Sequence, residues 1–288
     1  MGAHLVGLVM ATRTIRPSSL VTAQDCSRRW AAHTLTAEVE AAGYELQPKR
    51  PLHIGAAVGS GIHAAAAFML TEKMERDTLG SESDAVDRAI AEFDERAAED
   101  GLTFDDVTGN VATAQRQMQR MTRSYRRHLA PTLTPLLVEH RLEVDVGDGT
   151  RLSGQGDVLT KGLDGGIHDT KSGRARRANG AQYGAYRLIF QAHGFHVETI
   201  TEDFVPRMRM SAEQPPPQST PIAIEAATEQ AIAVIEDIKR SVAEFERRLR
   251  GGEGAPHAAF RANPASVLCS PQFCRAHGTR FCRAHLTT

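Results

Sequence analysis

Apolar residues recur along this chain at two different spacings, and the change from one to the other divides it. The stretch up to about Arg16 reads as a loose lead-in or a short strand. Ser18 and Ser19 are suitable caps for a first helix reaching about Ala42. Lys49–Gly61, with its Pro and Gly residues, reads as a loop leading into a small-residue helix at Ile62–Phe68. Ser83–Ala98 sets Val86, Ile90, Phe93 and Ala97 on one side of a helix. Val107–Ala130 predicts a longer one, with Val111, Ala114, Met118, Met121 and Tyr125 as its stripe, ended by Thr132-Leu133-Thr134-Pro135. The spacing then shortens. Leu136–Val146, Arg151–Leu159 and Gly166–Lys171 read as three strands joined by Gly-containing turns. A helix from about Asn179 to Gly194 and a fourth strand over Phe195–Pro206 follow, then the stiff turn Pro215-Pro216-Pro217. Thr228–Arg250 is the last long amphipathic helix, with Ile235, Ile238, Val242, Phe245 and Leu249 at core spacing.

This order, helix, three strands, helix, strand, predicts an α/β fold with a mixed central sheet whose last connection is a right-handed crossover. The chain of 288 residues is long enough for a sizeable core. We expect one domain over 1–288: a helical portion at 17–130, the sheet and its helix at 131–206, and a C-terminal helix and tail at 207–288. The net charge of −1 gives no global nucleic-acid signature, so a surface for such a partner has to be local. Leu5–Met10 is apolar but far too short to span a bilayer, and we expect a cytoplasmic protein without a membrane partner.

The candidate chemistry gathers in Gly154–Tyr186. Asp169 and Lys171 are two apart on a strand and therefore share a face, and the hairpin brings Asp157 opposite them. Two carboxylates and an ammonium on one face suit an Mg²⁺ site and the activation of a water for attack on a phosphodiester. Gln182 and Tyr186, four apart, share one face of the following helix. Gly154-x-x-Asp157, Ile167-x-Asp169-x-Lys171-x-Gly173 and Gln182-x3-Tyr186, in that order, resemble the motifs of RecB-type nucleases in the PD-(D/E)xK superfamily. The resemblance covers Ser18 to Cys282. It implies a restriction-endonuclease-like αβββαβ core and a DNA exonuclease dependent on Mg²⁺ or Mn²⁺, acting on single strands or ends. It also implies roles for the residues: His63, Asp157 and Asp169 on the metal, Lys171 positioning the water, Gln182 and Tyr186 orienting strand or lysine. His63 matches a Gly-x-x-hydrophobic-His motif with Gly59 or Gly61 in the glycine role. Glu139 on the first strand is an optional further carboxylate, with a surface role favoured. A non-catalytic DNA-binding subunit, an endonuclease of the same fold, and a helicase or recombination partner are the other possibilities this likeness carries.

Two basic groups are candidates for DNA contact. Arg174, Arg176 and Arg177 lie between Lys171 and Gln182, where a scissile strand has to pass. Arg116, Arg120, Arg123 and Arg127 form a ridge on one helix, either a solvated face or a surface that tracks phosphates.

Three cysteines, Cys269, Cys274 and Cys282, fall within fourteen residues of the tail, and the fourth, Cys26, lies near the other end. Thiolates so placed suit a metal group that staples the two ends together. Iron–sulfur members of the same nuclease family use this one-plus-three arrangement, which implies a [4Fe–4S] cluster. The spacing C-x4-C-x7-C is wider than the family's compact form. Zn²⁺ is the alternative, because His277 and His285 stand beside Cys274 and Cys282.

Overall fold

The computed structural model describes residues 13–162, 165–177 and 179–285. In chain order the elements are β1 (Arg13–Ile15), α1 (Pro17–Asp25), α2 (Ser27–Thr34), α3 (Thr36–Ala41), β2 (Leu52–His53), α4 (Ile54–Arg76), α5 (Glu82–Asp100) and β3 (Leu102–Thr103). Then come α6 (Val111–His128), β4 (Pro135–Asp145), β5 (Thr150–Thr160), β6 (Gly166–Gly173), α7 (Gly180–Ala192), β7 (Thr199–Pro206), β8 (Gln218–Pro221) and α8 (Ile224–Leu249).

The expected α/β architecture with a mixed sheet is present. β4 and β5 are antiparallel, β5 and β6 antiparallel, and β6 and β7 parallel across α7. β8 adds an antiparallel edge to β7, and β1 pairs in parallel with β5. β5 is the pivot. One of its edges is taken by β4 along most of its length. The other is shared: β1 occupies 150–152 and β6 only Val158 and Leu159. Among the described residues, 153–157 have no strand on that side. The sheet is therefore split beside Asp157.

Helices cover both faces. α4, α5 and α6 pack through Ile62, Met69, Phe93, Met118 and Met121 onto Val158 and Val205. α7 and α8 cover the other face, with Ile189, Ile235 and Phe245 meeting Trp30, Phe260 and Phe281 from the two ends of the chain. The rings of Phe245, Phe260 and Phe281 form a continuous aromatic contact there, at 5.3 and 6.2 Å.

Several elements differ from the reading of the sequence. The helix expected to run to Ala42 is three short ones, because Cys26 is extended (φ −152°, ψ 100°) and its sulfur caps α2 by accepting the Arg29 N–H. The expected loop up to Gly61 is helical from Ile54, with the His53 ring accepting the Gly55 N–H at 3.1 Å as cap. Its glycines mark close packing rather than a turn: a Cβ on Gly61 would lie 2.6 Å from the Ala89 carbonyl. α4 is long and apolar enough to cross a membrane by composition, but half of that stretch is buried against the rest of the fold, as in a core helix. α6 begins at Val111, where Asn110 caps it, and Val111 itself is exposed. The fourth strand starts at Thr199 instead of Phe195, and α8 at Ile224, with Leu249 exposed.

Candidate active site

Gly154 and Gly156 are what allow Asp157 to be buried. A Cβ on Gly154 would lie 2.8 Å from Pro17 and from Ile189, and one on Gly156 would lie 2.9 Å from the Phe190 ring. α1 and α7 thus close directly over the unpaired edge of β5. Where the ladder opens, Asp157 takes over the pairing: its Oδ2 accepts the Thr170 backbone N–H at 2.7 Å. The same oxygen lies 3.3 Å from His63 Nδ1 on α4.

Glu139 completes the cluster. His63, Glu139 and Asp157 each bring a ligand atom within 4.8 Å of the others. The surface role favoured for Glu139 is therefore corrected. Its backbone is left-handed (φ 48°), where β4 departs from regular pairing with β5, and Gln155 Nε2 donates to its Oε2 at 2.5 Å. A non-glycine residue in that conformation is a strained kink held by its surroundings. Gln155 is in turn held by Arg141 at 2.8 Å.

Asp169 and Lys171 project together from β6 and form an ion pair, Nζ to Oδ2 2.6 Å. Asp169 is wholly buried, and neither of its oxygens accepts a hydrogen bond of good geometry. Gln182 and Tyr186 lie on the buried side of α7 and hydrogen-bond each other, Nε2 to Oη 3.0 Å. Tyr183, which sequence reasoning passed over, donates to Glu202, and the Lys171 ammonium lies 6.0 Å from its ring centroid. Its position next to Gln182 was the one available signal.

The charges are strongly perturbed. Burial alone would lower the His63 pKa, but the Asp157 carboxylate outweighs it and holds His63 at about 9. Asp157 is buried too, yet the charge and hydrogen bond of His63 keep it below the usual carboxylate range. Glu139 is pushed up to about 7 by burial and then by Asp157. Burial, with Asp157 nearby, raises Asp169 to about 6 against the pull of Lys171. Lys171, despite burial, is raised by Asp169 and Asp157, so it is a firm cation in the metal-free protein.

The donor set fits a hard divalent cation: an imidazole and carboxylates, with a buried aspartate, Asp169, whose partner is the Lys171 ammonium. Such an ion would be held by His63, Asp157 and Glu139; Asp169, also expected on the metal, is not among the three whose ligand atoms come together.

The basic groups are partly engaged. Arg174 pairs with Asp106 at 2.7 Å and Arg176 with Glu202 at 2.7 Å, while Arg177 is exposed and enters no ion pair among the described residues. On α6, Arg120 donates to the carbonyls of Met210 and Ala212 and Arg123 pairs with Glu82, leaving Arg116 and Arg127 at the exposed surface. Half of that ridge therefore holds the fold together. The cleft beside Lys171, about 480 Å³, is lined by Gly55, Ala56, 172–177 and Arg207.

Cys26, Cys274 and Cys282 are buried and Cys269 is half-buried, and no disulfide joins them. Burial and the neighbouring cysteine sulfurs raise the thiols of Cys269 and Cys274, Cys26 and Cys282 weighing on both. The four sulfurs thus share one neighbourhood. The tail is tied to α1 and α2 around it: Ser266 donates to Asp25 at 2.6 Å, and Arg28 donates to the carbonyls of His257 and Phe260. The side chain of His285 lies outside the described residues.

Residues 14–279 match the family model of the PD-(D/E)XK nuclease superfamily. The chain belongs to that superfamily. It is therefore a nuclease of a class that works on DNA with divalent metal, and the cluster of Asp157, Asp169 and Lys171 at the split in the sheet sits where that chemistry belongs. Among solved structures, it is similar to a protein of Eubacterium rectale described as a candidate exonuclease, at 11% identity and TM-score 0.41, over 71% of this chain and 73% of that one. It is also similar to the protein SSO0001, at 10% identity and TM-score 0.24, over 70% of this chain and 83% of the other. No curated protein matches.

Proposed function

We propose that the protein is a RecB-type DNA exonuclease dependent on Mg²⁺ or Mn²⁺, working on single strands or ends in recombination, repair or phage DNA processing, in the cytoplasm and alongside a helicase or recombination partner. The observation that carries the reading is the buried Asp169, ion-paired with Lys171 and within the field of Asp157 and His63, which with Glu139 form the candidate metal group. A divalent ion there supplies Lewis-acid stabilisation of the phosphodiester and lowers the pKa of a water. Lys171 is held by Asp169 at the cleft wall, in place to orient that water and to neutralise charge building on the phosphate. The Gln182–Tyr186 pair, bonded to each other on the buried side of α7, is assigned the orienting role. Arg177 is free to meet the strand, and Arg116 and Arg127 are more distant candidates on α6.

The same reading includes a [4Fe–4S] cluster on Cys26, Cys269, Cys274 and Cys282. Support for a shared group is the placing of the four cysteines, whose sulfurs weigh on one another's thiols.

The test is cleavage of end-labelled linear single-stranded DNA with Mn²⁺, Mg²⁺ or EDTA. Wild type should release label only with metal, and Lys171→Ala should lose about a hundred-fold or more. Equal activity in both proteins would refute the assignment of Lys171. Cutting of circular DNA would make the enzyme an endonuclease, and DNA binding without any cleavage would make it a non-catalytic subunit.

A further inference from the structure

Beyond the metal cluster, the cleft beside Lys171 continues into a second, mostly apolar groove of about 950 Å³. His53, Ala56 and Phe273 line both, so the two are continuous. Leu52, Pro51 and Pro271 form much of its wall, and Arg50 stands exposed at the rim.

Most of the described aromatic side chains are buried; Phe104 and Phe273 are exposed, and of the two Phe273, at 38%, lines this groove. It is also firmly held. Its backbone N–H donates to Ser270, and its carbonyl accepts the His33 Nε2–H at 3.2 Å. The loop 270–273 lies between Cys269 and Cys274, the latter buried.

An exposed ring on a hydrogen-bonded backbone, beside a phosphodiester-cleaving site and between the cations Arg177 and Arg50, has the chemistry of a stacking platform for an unpaired base. A duplex does not offer such a face, because its bases already stack on each other. We propose that the groove from Lys171 past Phe273 to Arg50 is a track for single-stranded DNA, on which one base stacks on Phe273. This rests on the nuclease reading and names its substrate as unpaired strand, bound without preference for sequence.

The experiment is fluorescence anisotropy with a labelled single-stranded oligonucleotide in Ca²⁺, on full-length wild type, Phe273→Ala and Phe273→Trp, repeated with a strand of equal length lacking bases. Phe273→Ala should raise Kd about five-fold or more, and Phe273→Trp should restore it. Wild type should bind the base-free strand about as weakly as Phe273→Ala binds the normal one, and on the base-free strand the alanine variant should make no difference. Because the base-free strand is measured on wild type, a folding defect in the variant does not decide the result. Equal affinity of wild type for both strands would overturn the track, as would duplex of the same length competing as well as single strand. So would concentration-dependent dimerisation that Phe273→Ala abolishes with DNA affinity unchanged, since the occupant would then be a second copy. Failure here alongside Lys171-dependent cleavage leaves the nuclease standing. Stacking without any cleavage would remove the catalytic reading instead.

Discussion

Metal binding at His63, Glu139 and Asp157 should expel protons in a number set by two perturbed groups. His63 titrates at about 9 because Asp157 overrides its burial, and Glu139 at about 7 because burial and Asp157 disfavour its charge. A ligand must be deprotonated to bind, so protons compete with the ion. At pH 8 about nine-tenths of His63 and about one-tenth of Glu139 carry a proton, so each ion bound should release about one proton. At pH 7 the number rises to about 1.5, because Glu139 is then about half protonated, and at pH 10 it falls to about 0.1. The sign follows directly: raising the pH removes the competing proton, so affinity for Mn²⁺ should strengthen about six-fold from pH 8 to 9 and then level off. Calorimetric titration with Mn²⁺ in two buffers of different ionisation enthalpy counts these protons. Nuclear magnetic resonance of the metal-free protein supplies the control. His63 should titrate near 9 in wild type and fall to about its ordinary value or below in Asp157→Asn, where burial and Lys171 are left unopposed by that charge. Binding without proton release at pH 8, or a His63 pKa unmoved in Asp157→Asn, would refute the coupling derived from the 3.3 Å contact.

Two further outcomes test the scaffold. Gly184 on α7 sits where a Cβ would overlap the Ala227 carbonyl of α8, so Gly184→Ala has to push α7 away from α8 at backbone atoms. It should destabilise by about 3 kcal/mol, the upper end for overpacking, and lower the urea midpoint by about 1 M; an unchanged midpoint would mean α7 and α8 do not pack this closely. Cys26→Ser should strip anaerobically purified protein of iron and acid-labile sulfide, about four of each per wild-type chain, while a wild type containing zinc and neither of these would rule out the cluster.

The strand-borne portion of the site was readable from the sequence because a strand has a period of two. Asp169 and Lys171 could only share a face, and they are found paired at 2.6 Å. Gln182 and Tyr186 were readable for the equivalent helical reason, and they bond each other. Glu139 could not be placed in this way. Its side chain reaches His63 from a left-handed residue in β4, and no local pattern announces a positive φ at a glutamate. The glycines at 55, 59 and 61 misled for a related reason. Glycine signals a turn when local conformation requires it and a close approach when a neighbouring element does, and here Ala89 and Ser172 are those neighbours. The arginine ridge on α6 had helical spacing without the information that two of its members are used on the 210–212 segment and on Glu82. β8, four residues after three prolines, has no hydrophobic pattern of its own and exists because β7 offers it an edge.

The Gly154-x-x-Asp157 motif is better understood as one physical device than as an aspartate with a glycine nearby. An aspartate at a gap in a sheet would ordinarily be hydrated, and water would screen it from its neighbours. At this gap, Gly154 lets Pro17 and Ile189 close over the backbone and Gly156 admits the Phe190 ring, so α1 and α7 seal one side of β5, while the Asp157 carboxylate meets His63 of α4, Glu139 and the Thr170 N–H. Sealing strengthens each charge interaction it makes, which is why His63 is driven up and Glu139 and Asp169 resist ionisation together. A set of carboxylates that repel one another in a dry site is stabilised by a divalent cation far more than by protons or water. The glycines thereby act on metal affinity without touching the metal, through the packing of α1 and α7 against β5.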